Sequence, residues 1–446
     1  MKNYPVSIIM QSDTVLSLES AMYIMIPEQI IDVIGCANIK CGMILFFNKG
    51  DGLMKKFLAV IGYIILFVLA TAVFLLSIGT VFTAIPFFGS IANIITVGWL
   101  HLWLPLCIVL FVIALVLCLV NRKKPVHWVA LALCVVSLAS TIFFTCSNAS
   151  ALSQYDLKPN VFLQKEDLSA VQVETYTYTE SEYGPVNLDA YYTEDGKTDK
   201  PVLIYIHGGG WILNSRETHS YYPKVFANHG YVAFTLDYDL SSSERHLAKS
   251  TELQIAEAFA WVKNHAADFG GDINQLFVAG GSAGGNLTLE LAYKINAGIY
   301  QTSADGTELP TVKAVSVTFP ATSVVAIYNN DDLVLGGTVN NMAASYTGCS
   351  PEEDPALYDS LAPGNAISAN TPPTNIVLGA GDVIVPPKDT YEFDADLEKA
   401  GIAHQTVTIP YANHGFDAVD GNMGNRAYLD LSLRWFEQYL ENTGDK

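Results

Sequence analysis

Nine residues, Val278-Ala279-Gly280-Gly281-Ser282-Ala283-Gly284-Gly285-Asn286, constrain this chain more than any other stretch. An apolar run over residues 275–279 leads into them, and a helix-compatible run over 286–297 leaves them. A strand that turns at once into a helix through a serine needs glycine on both sides. Any Cβ at Gly280 or Gly284 would clash where the two backbones cross. Such a turn lifts the Ser282 hydroxyl clear of the sheet and sets it at a helix N-terminus. There the unpaired amides and the helix dipole favour a developing negative charge. A Gly-x-Ser-x-Gly pentapeptide also arises in plain glycine-rich turns, so the other parts of such a site must be sought elsewhere in the chain.

At 446 residues the chain is too long for one ordinary core, and its two parts differ in composition. No Asp or Glu occurs between Asp51 and Asp156, where the only charges are Lys55, Lys56, Arg122, Lys123 and Lys124. Apolar runs cover residues 57–79, 102–120 and 126–146. Each is near the ~20 residues a helix needs to cross hydrocarbon. Residues 54–150 are therefore predicted to be a membrane region of three transmembrane helices. The plain alternative, buried helices of a soluble protein, would require three consecutive helices apolar all round. Lys55 and Lys56 precede the first span, and Arg122 to Lys124 separate the second from the third. With three spans both clusters lie on the cytoplasmic side, and everything after Cys146 lies outside. The expectation is a multi-pass plasma-membrane protein with an extracytoplasmic domain. The apolar stretch 81–100 carries Pro86, Gly89, Asn93 and Gly98 and reads as an outer loop or interfacial segment. A cleaved signal peptide is disfavoured, because the first run is long and two more follow. Residues 1–53 show mixed polarity and no period. Met54-Lys55-Lys56 ahead of an apolar run resembles a bacterial start, so 1–53 is expected to be an over-extended reading frame or a disordered tail.

From Ala151 onward, 16 basic side chains face 39 acidic ones, a formal balance of −23. That argues against nucleic acid and anionic lipid headgroups as direct partners of this part. Only Cys349 of the seven cysteines lies there, so it holds no internal disulfide, and no Cys/His metal spacing occurs. Residues 151–160 read as a polar linker. Alternating patterns over 170–178 and 186–192 fit half-buried antiparallel strands at a sheet edge. Continuous apolar runs over 201–206, 231–236, 275–279, 312–319, 375–379 and 404–409 fit strands covered on both faces. Helical patterns lie between or after them at 251–269, 286–297, 387–400 and 426–440. This alternation predicts an α/β fold over 151–446, a mostly parallel sheet with helices on both faces. Residues 321–371 break the rhythm and are placed where a lid over a pocket would be inserted.

Three consecutive glycines in His207-Gly208-Gly209-Gly210-Trp211 follow the first buried strand. They free the backbone to turn amides inward, where they can hold the oxyanion of a tetrahedral acyl-transfer intermediate. A plain glycine turn is the alternative, but the position after a strand and upstream of Ser282 favours the first reading. The amide of Ala283 would be a further donor. His207 reads as an anchor of this loop. A serine nucleophile needs a base, and the base an orienting acid. Of nine histidines, His101 and His127 are at the membrane and His265 lies inside a helix. His219, His229, His246 and His404 lack a turn context near a strand C-terminus. His414 lies in a polar loop, Tyr411-Ala-Asn-His-Gly-Phe416, after the strand ending at Ile409, and Asp382 follows the strand over 375–379. Both fall on loops leaving strand C-termini, as Ser282 does. Asp394 and Asp396 read as solvated helix residues.

These motifs resemble the α/β-hydrolase superfamily, specifically the hormone-sensitive-lipase-like and acetyl-esterase-like hydrolases. The likeness covers about residues 185–440. It rests on His207-Gly-Gly-Gly-Trp211, Phe269-Gly-Gly-Asp272, Gly280-Gly-Ser-Ala-Gly-Gly285, Thr371-Pro-Pro373 and His414-Gly-Phe416. It implies Ser282 as nucleophile, His414 as base and Asp382 as its orienting acid. Gly208, Gly209 and Ala283 would supply the oxyanion donors. Many relatives have Asp-Tyr-Arg then Ala-Pro-Glu where this chain has Asp237-Tyr-Asp-Leu-Ser241, and Asp-Pro-Leu where it has Asp382-Val-Ile; both departures leave the subfamily open.

The expected function is a membrane-anchored serine carboxylesterase needing no metal or organic cofactor. Its expected substrate is a small-molecule or acylated-glycan ester, with short acyl or acetyl groups favoured by the likeness alone. A peptidase or amidase on the same fold is one rival. A non-catalytic adhesion or sensing domain is the other, though such domains typically lose a triad member and all three are present. A histidine base is lost when its imidazole takes up a proton, so hydrolysis should fall on acidification below neutral pH. A flat profile from ~pH 5 to ~8 would count against His414.

Overall fold

The computed structural model describes residues 52–82, 88–333 and 335–440. The extension predicted over 1–53 lies outside them except for its last two residues, which begin a helix. The chain divides into two compact units, Met1–Ile65 and Leu66–Lys446. Helix α1 (Gly52–Val81) runs from the first into the second. Within the second unit, α2 (Phe88–Gly98), α3 (Leu100–Val120) and α4 (Pro125–Ser153) follow. By length and composition α1, α3 and α4 are each sufficient to cross a membrane. Pro125 sits in the first turn of α4, where a missing N–H costs nothing. The helix then runs past the expected span end at 146 and into the expected linker, because Ser147-Asn-Ala-Ser-Ala151 contains no breaker. Where these helices meet, polar side chains bond one another. Thr80 Oγ1 lies 2.6 Å from Thr96 Oγ1, and Trp103 Nε1 donates to Ser77 Oγ at 3.3 Å. Such pairs satisfy polar groups buried between apolar helices.

Eight strands form one sheet in the order β1-β2-β4-β3-β5-β6-β7-β8. They are β1 (Val171–Ser181), β2 (Gly184–Thr193), β3 (Lys200–Ile206), β4 (Val232–Leu236), β5 (Gly271–Gly281), β6 (Ala314–Thr318), β7 (Thr374–Gly379) and β8 (His404–Ile409). β1–β2 and β2–β4 pair antiparallel and all other pairs are parallel, as the two alternating and six continuous patterns predict. Alternate residues of the central strands feed two cores. Val202, Ile204 and Ile206 of β3 pack with helices α6 (Ala248–His265), α7 (Ala283–Asn296) and α11 (Pro387–Ala400). Leu203 and Tyr205 pack with α5 (Tyr221–Asn228) and α12 (Met423–Glu437) on the other face. The second core is continuous with Phe144 and Leu152 of α4.

Two regions differ from the sequence-based expectation. Helix α5 is absent from it because Tyr221-Tyr-Pro223 offers no amphipathic period; Pro223 is tolerated in the first turn. Among the described residues, the irregular segment 321–371 holds three short α-helices, α8 (Val324–Tyr328), α9 (Gly336–Thr347) and α10 (Pro355–Ser360), and a 3-10 turn at Pro363–Ala366. Ser323 and Asp354 cap two of them, accepting from the amides of Ala326 and Leu357.

The segment is fastened to α6 and α7 through one buried cation. Lys294 Nζ donates to Glu252 and Glu290 at 2.6 Å each and to the carbonyl of Ser360 at 2.9 Å. Burial, with Glu252 alongside, pushes the Glu290 carboxyl well above the usual carboxylate range, while Lys294 pulls it back. Lys294→Met would leave two buried carboxylates without their cation. It should cost about 3 kcal/mol, read as a lower urea midpoint of the detergent-solubilised protein.

Candidate active site

The turn after β5 holds Ser282 at φ 56° and ψ −124°, a conformation that a non-glycine residue adopts only under constraint. The constraint is the close crossing of α7 over the end of β3. A Cβ on Gly284 would stand 2.2 Å from the carbonyl oxygen of Ile206 and 2.4 Å from that of His207. One on Gly280 would stand 2.6 Å from the carbonyl oxygen of Gly284. The Ser282 amide donates to Thr318 at 3.0 Å, which ties the turn to β6.

His414 reaches Ser282 across the sheet edge, and the Nε2 to Oγ distance is 3.0 Å. Its Nδ1 lies 2.8 Å from Asp382 Oδ2. A carboxylate accepts only, so Nδ1 carries the proton and Nε2 accepts from the serine hydroxyl. The other Asp382 oxygen accepts from the amides of Ile384 and Val385, both at 2.9 Å. The Asp382 side chain is 1% exposed and that of His414 14%. Phe319, at the end of β6, lays its ring 4.2 Å from that of His414. Backbone bonds join the two loops: Ala380 donates to Ile409 at 3.0 Å and Gly381 to Ala412 at 2.8 Å. Asn413 spans them, its Oδ1 accepting from Val383 and His414 amides at 3.1 and 2.7 Å. Three residues beyond His414, buried Asp417 accepts from the Tyr222 hydroxyl at 2.6 Å. Burial raises its carboxyl above the ordinary value.

The glycine loop passes directly beside the serine. A Cβ on Gly208 would stand 2.7 Å from the Gly281 carbonyl oxygen and 3.1 Å from Ser282 Cβ. Gly209 has φ 121°, and its carbonyl accepts from Ile212 and Leu213. None of the amides of Gly208, Gly209 and Ala283 donates a hydrogen bond among the described residues. His207 anchors the loop: it bonds the Gly208 carbonyl at 2.7 Å and stacks on Tyr238, centroids 4.4 Å apart. Burial pushes its imidazole down to about 4, so it is neutral at pH 7 and its Nδ1–H is the donor. Further along the same loop, Arg216 bonds Asp189 at 2.8 Å and Asp237 at 2.7 Å. Segment 321–371 packs against the loop, with Tyr346 stacked on Trp211 at 4.7 Å and Met342 against Gly210. Asn330 donates to the carbonyls of Val383 and Ile384, so the same segment also touches the acid loop.

All six residues singled out from sequence therefore meet at one edge of the sheet. Asn413, Arg216 and Asn330 were not among them. An Asn beside His414 in a turn is a readable signal; Arg216 and Asn330 act across long separations and leave no local mark. No cluster of His, Cys, Asp and Glu suited to a metal occurs among the described residues.

A mostly parallel sheet with a serine at the strand-to-helix turn after β5, and acid and imidazole on the loops after β7 and β8, is the α/β-hydrolase arrangement. Residues 188–397 match the BD-FAE family model. The chain is 29% identical over 246 residues to "Esterase LipC" of Mycobacterium tuberculosis, covering 52% of this chain and 58% of that one. It is 27% identical over 259 residues to the "Versiconal hemiacetal acetate esterase" of Dothistroma septosporum, covering 54% and 74%. The chain thus spans little more than half the length of LipC. Esterase B from Lactobacillus rhamnosus shares the fold, with TM-score 0.52 and 20% identity over 67% of this chain and 93% of that structure. The C-terminal domain thus has the α/β-hydrolase fold and is similar in sequence to curated esterases.

Gly284→Ala forces apart two backbones that have no room for a methyl group. It should cost about 2 kcal/mol or more and displace Ser282. A lower melting temperature together with loss of hydrolysis would show it.

Proposed function

We propose that the protein is a membrane-anchored serine carboxylesterase acting through an acyl-enzyme. The observation that carries this reading is His414 within hydrogen-bond reach of both Ser282 and Asp382. Ser282 Oγ attacks the ester carbonyl while His414 Nε2 takes its proton, and Asp382 steadies the imidazolium that forms. The amides of Gly208, Gly209 and Ala283 bond the oxyanion as it develops. His414 then protonates the departing alcohol. Water, deprotonated by the same imidazole, attacks the acyl-enzyme and releases the acid and free Ser282.

Esters with short acyl groups are the proposed substrates. This choice rests on the family likeness, one relative being named for an acetate ester. Three apolar helices support the anchor, and the basic residues flanking them support an extracytoplasmic domain in a plasma membrane.

Ser282→Ala should reduce hydrolysis of p-nitrophenyl acetate by about a thousandfold or more. The variant should also lose labelling by a fluorophosphonate, with its melting temperature unchanged. Retained turnover would overturn the assignment, and cleavage of aminoacyl amides in preference to esters would redirect it to a peptidase.

A further inference from the structure

The apolar helices do more than precede the domain, because they pack against the sheet edge that carries Ser282 and His414. Helix α4 lies alongside β8, the edge strand, and runs opposite to it. At one end the Tyr155 hydroxyl donates to the carbonyl of Thr406 at 3.4 Å. At the other, Phe143 packs on Tyr411 with ring centroids 5.8 Å apart. β8 is extended only as far as Ile409, and Tyr411 lies in the turn that follows, at φ 58°. The two contacts hold the segments side by side and antiparallel. Phe143 belongs to the apolar part of α4, since a span begun at Pro125 needs ~20 residues. Tyr411, two residues past the end of β8 and three short of His414, is therefore level with the outer end of the apolar part of α4.

A second, independent set of contacts gives the same depth. Helix α2 joins the outer ends of α1 and α3, and it touches both catalytic loops. The Gly98 carbonyl accepts from Asn422 Nδ2 at 2.9 Å, and a Cβ on Gly98 would stand 3.8 Å from the Gly415 carbonyl oxygen. Buried Asn93 packs on the acid loop, its Nδ2 2.5 Å from where a Cβ on Gly381 would be. Residues next to Asp382 and next to His414 thus rest on a segment pinned at the start of a transmembrane helix.

Resting on the esterase reading above, we infer that the substrate is an ester carried by an uncharged amphiphile of the outer leaflet, presented to Ser282 from the membrane surface. A site whose edge is held at the acyl-chain boundary meets bilayer solutes at a far higher local concentration than dissolved ones. The formal balance of −23 beyond residue 150 disfavours an anionic headgroup. The reaction is ester hydrolysis. The acyl carbon–oxygen bond breaks, the amphiphile keeps its oxygen and gains a proton as the alcohol, and water supplies the hydroxyl of the released acid.

The test uses the full chain in mixed micelles of a non-ionic detergent with 1-hexadecanoyl-2-acetylglycerol, reading acetate release, and p-nitrophenyl acetate in parallel. With bulk concentration held constant, a fivefold lower mole fraction of the acetylated amphiphile should slow its hydrolysis about fivefold while p-nitrophenyl acetate turnover stays constant. If p-nitrophenyl acetate is cleaved in a Ser282-dependent way but the amphiphile is not, the membrane-delivery inference fails alone. It fails alone also if the amphiphile's rate ignores mole fraction, or if an acetylated soluble sugar is preferred. If neither ester is cleaved, the esterase reading falls with it.

Discussion

The structure depends on a contact with no side chain in it: the start of α7 lies against the last carbonyls of β3. Gly284 has 2.2 Å between its notional Cβ and the Ile206 oxygen, so only hydrogen fits there. That approach drives Ser282 to φ 56° and aims its hydroxyl out of the sheet. It also brings the end of β3, and so the glycine loop beginning at His207, beside the serine. Hydroxyl and inward-turned backbone are placed together by one crossing, before any long-range side-chain contact is made.

The remaining groups arrive by tertiary pairing. β7 and β8 are parallel neighbours in register from Thr374↔His404 to Gly379↔Ile409, so the loops after them leave side by side. Backbone bonds between those loops, with Asn413 across them, hold Asp382 and His414 at 2.8 Å. Asp382 spends its second oxygen on two amides, which fixes the carboxylate plane. Around this frame lies a shell of longer-range supports. Arg216 works through two carboxylates, segment 321–371 stacks Tyr346 on Trp211, and α2 rests on both loops.

Much of this arrangement is legible in the sequence. Continuous apolar strands, two alternating edge strands and the order of helices follow from side-chain periodicity, a local property. The strand-to-helix turn was legible because glycine is required where Cβ has no room. Helix α5 and the helices within 321–371 were not, since they are short and take their stability from packing, α5 on Tyr205 and Tyr428 and the others on Trp211 and the Lys294 cluster. The stretch 81–100 reads as an outer loop or interfacial segment, yet nothing in it indicates that Asn93 and Gly98 would meet the Asp382 and His414 loops.

The chain's own residues determined which segments are strands, turns and apolar helices long enough to cross a membrane, and which side chains have the chemistry that the proposed nucleophile, base and acid require. Each of those rests on neighbours within a few residues, where backbone sterics and periodicity act. Distance between segments is another matter. Ser282 and His414 are 132 positions apart, and α4 and β8 more than 250, so no local rule relates them. Only sheet register and the shared core could set the 3.0 Å gap at the hydroxyl and the level of that edge against the apolar helices, because burial of common surface, not sequence proximity, decides which parts of a folded chain touch.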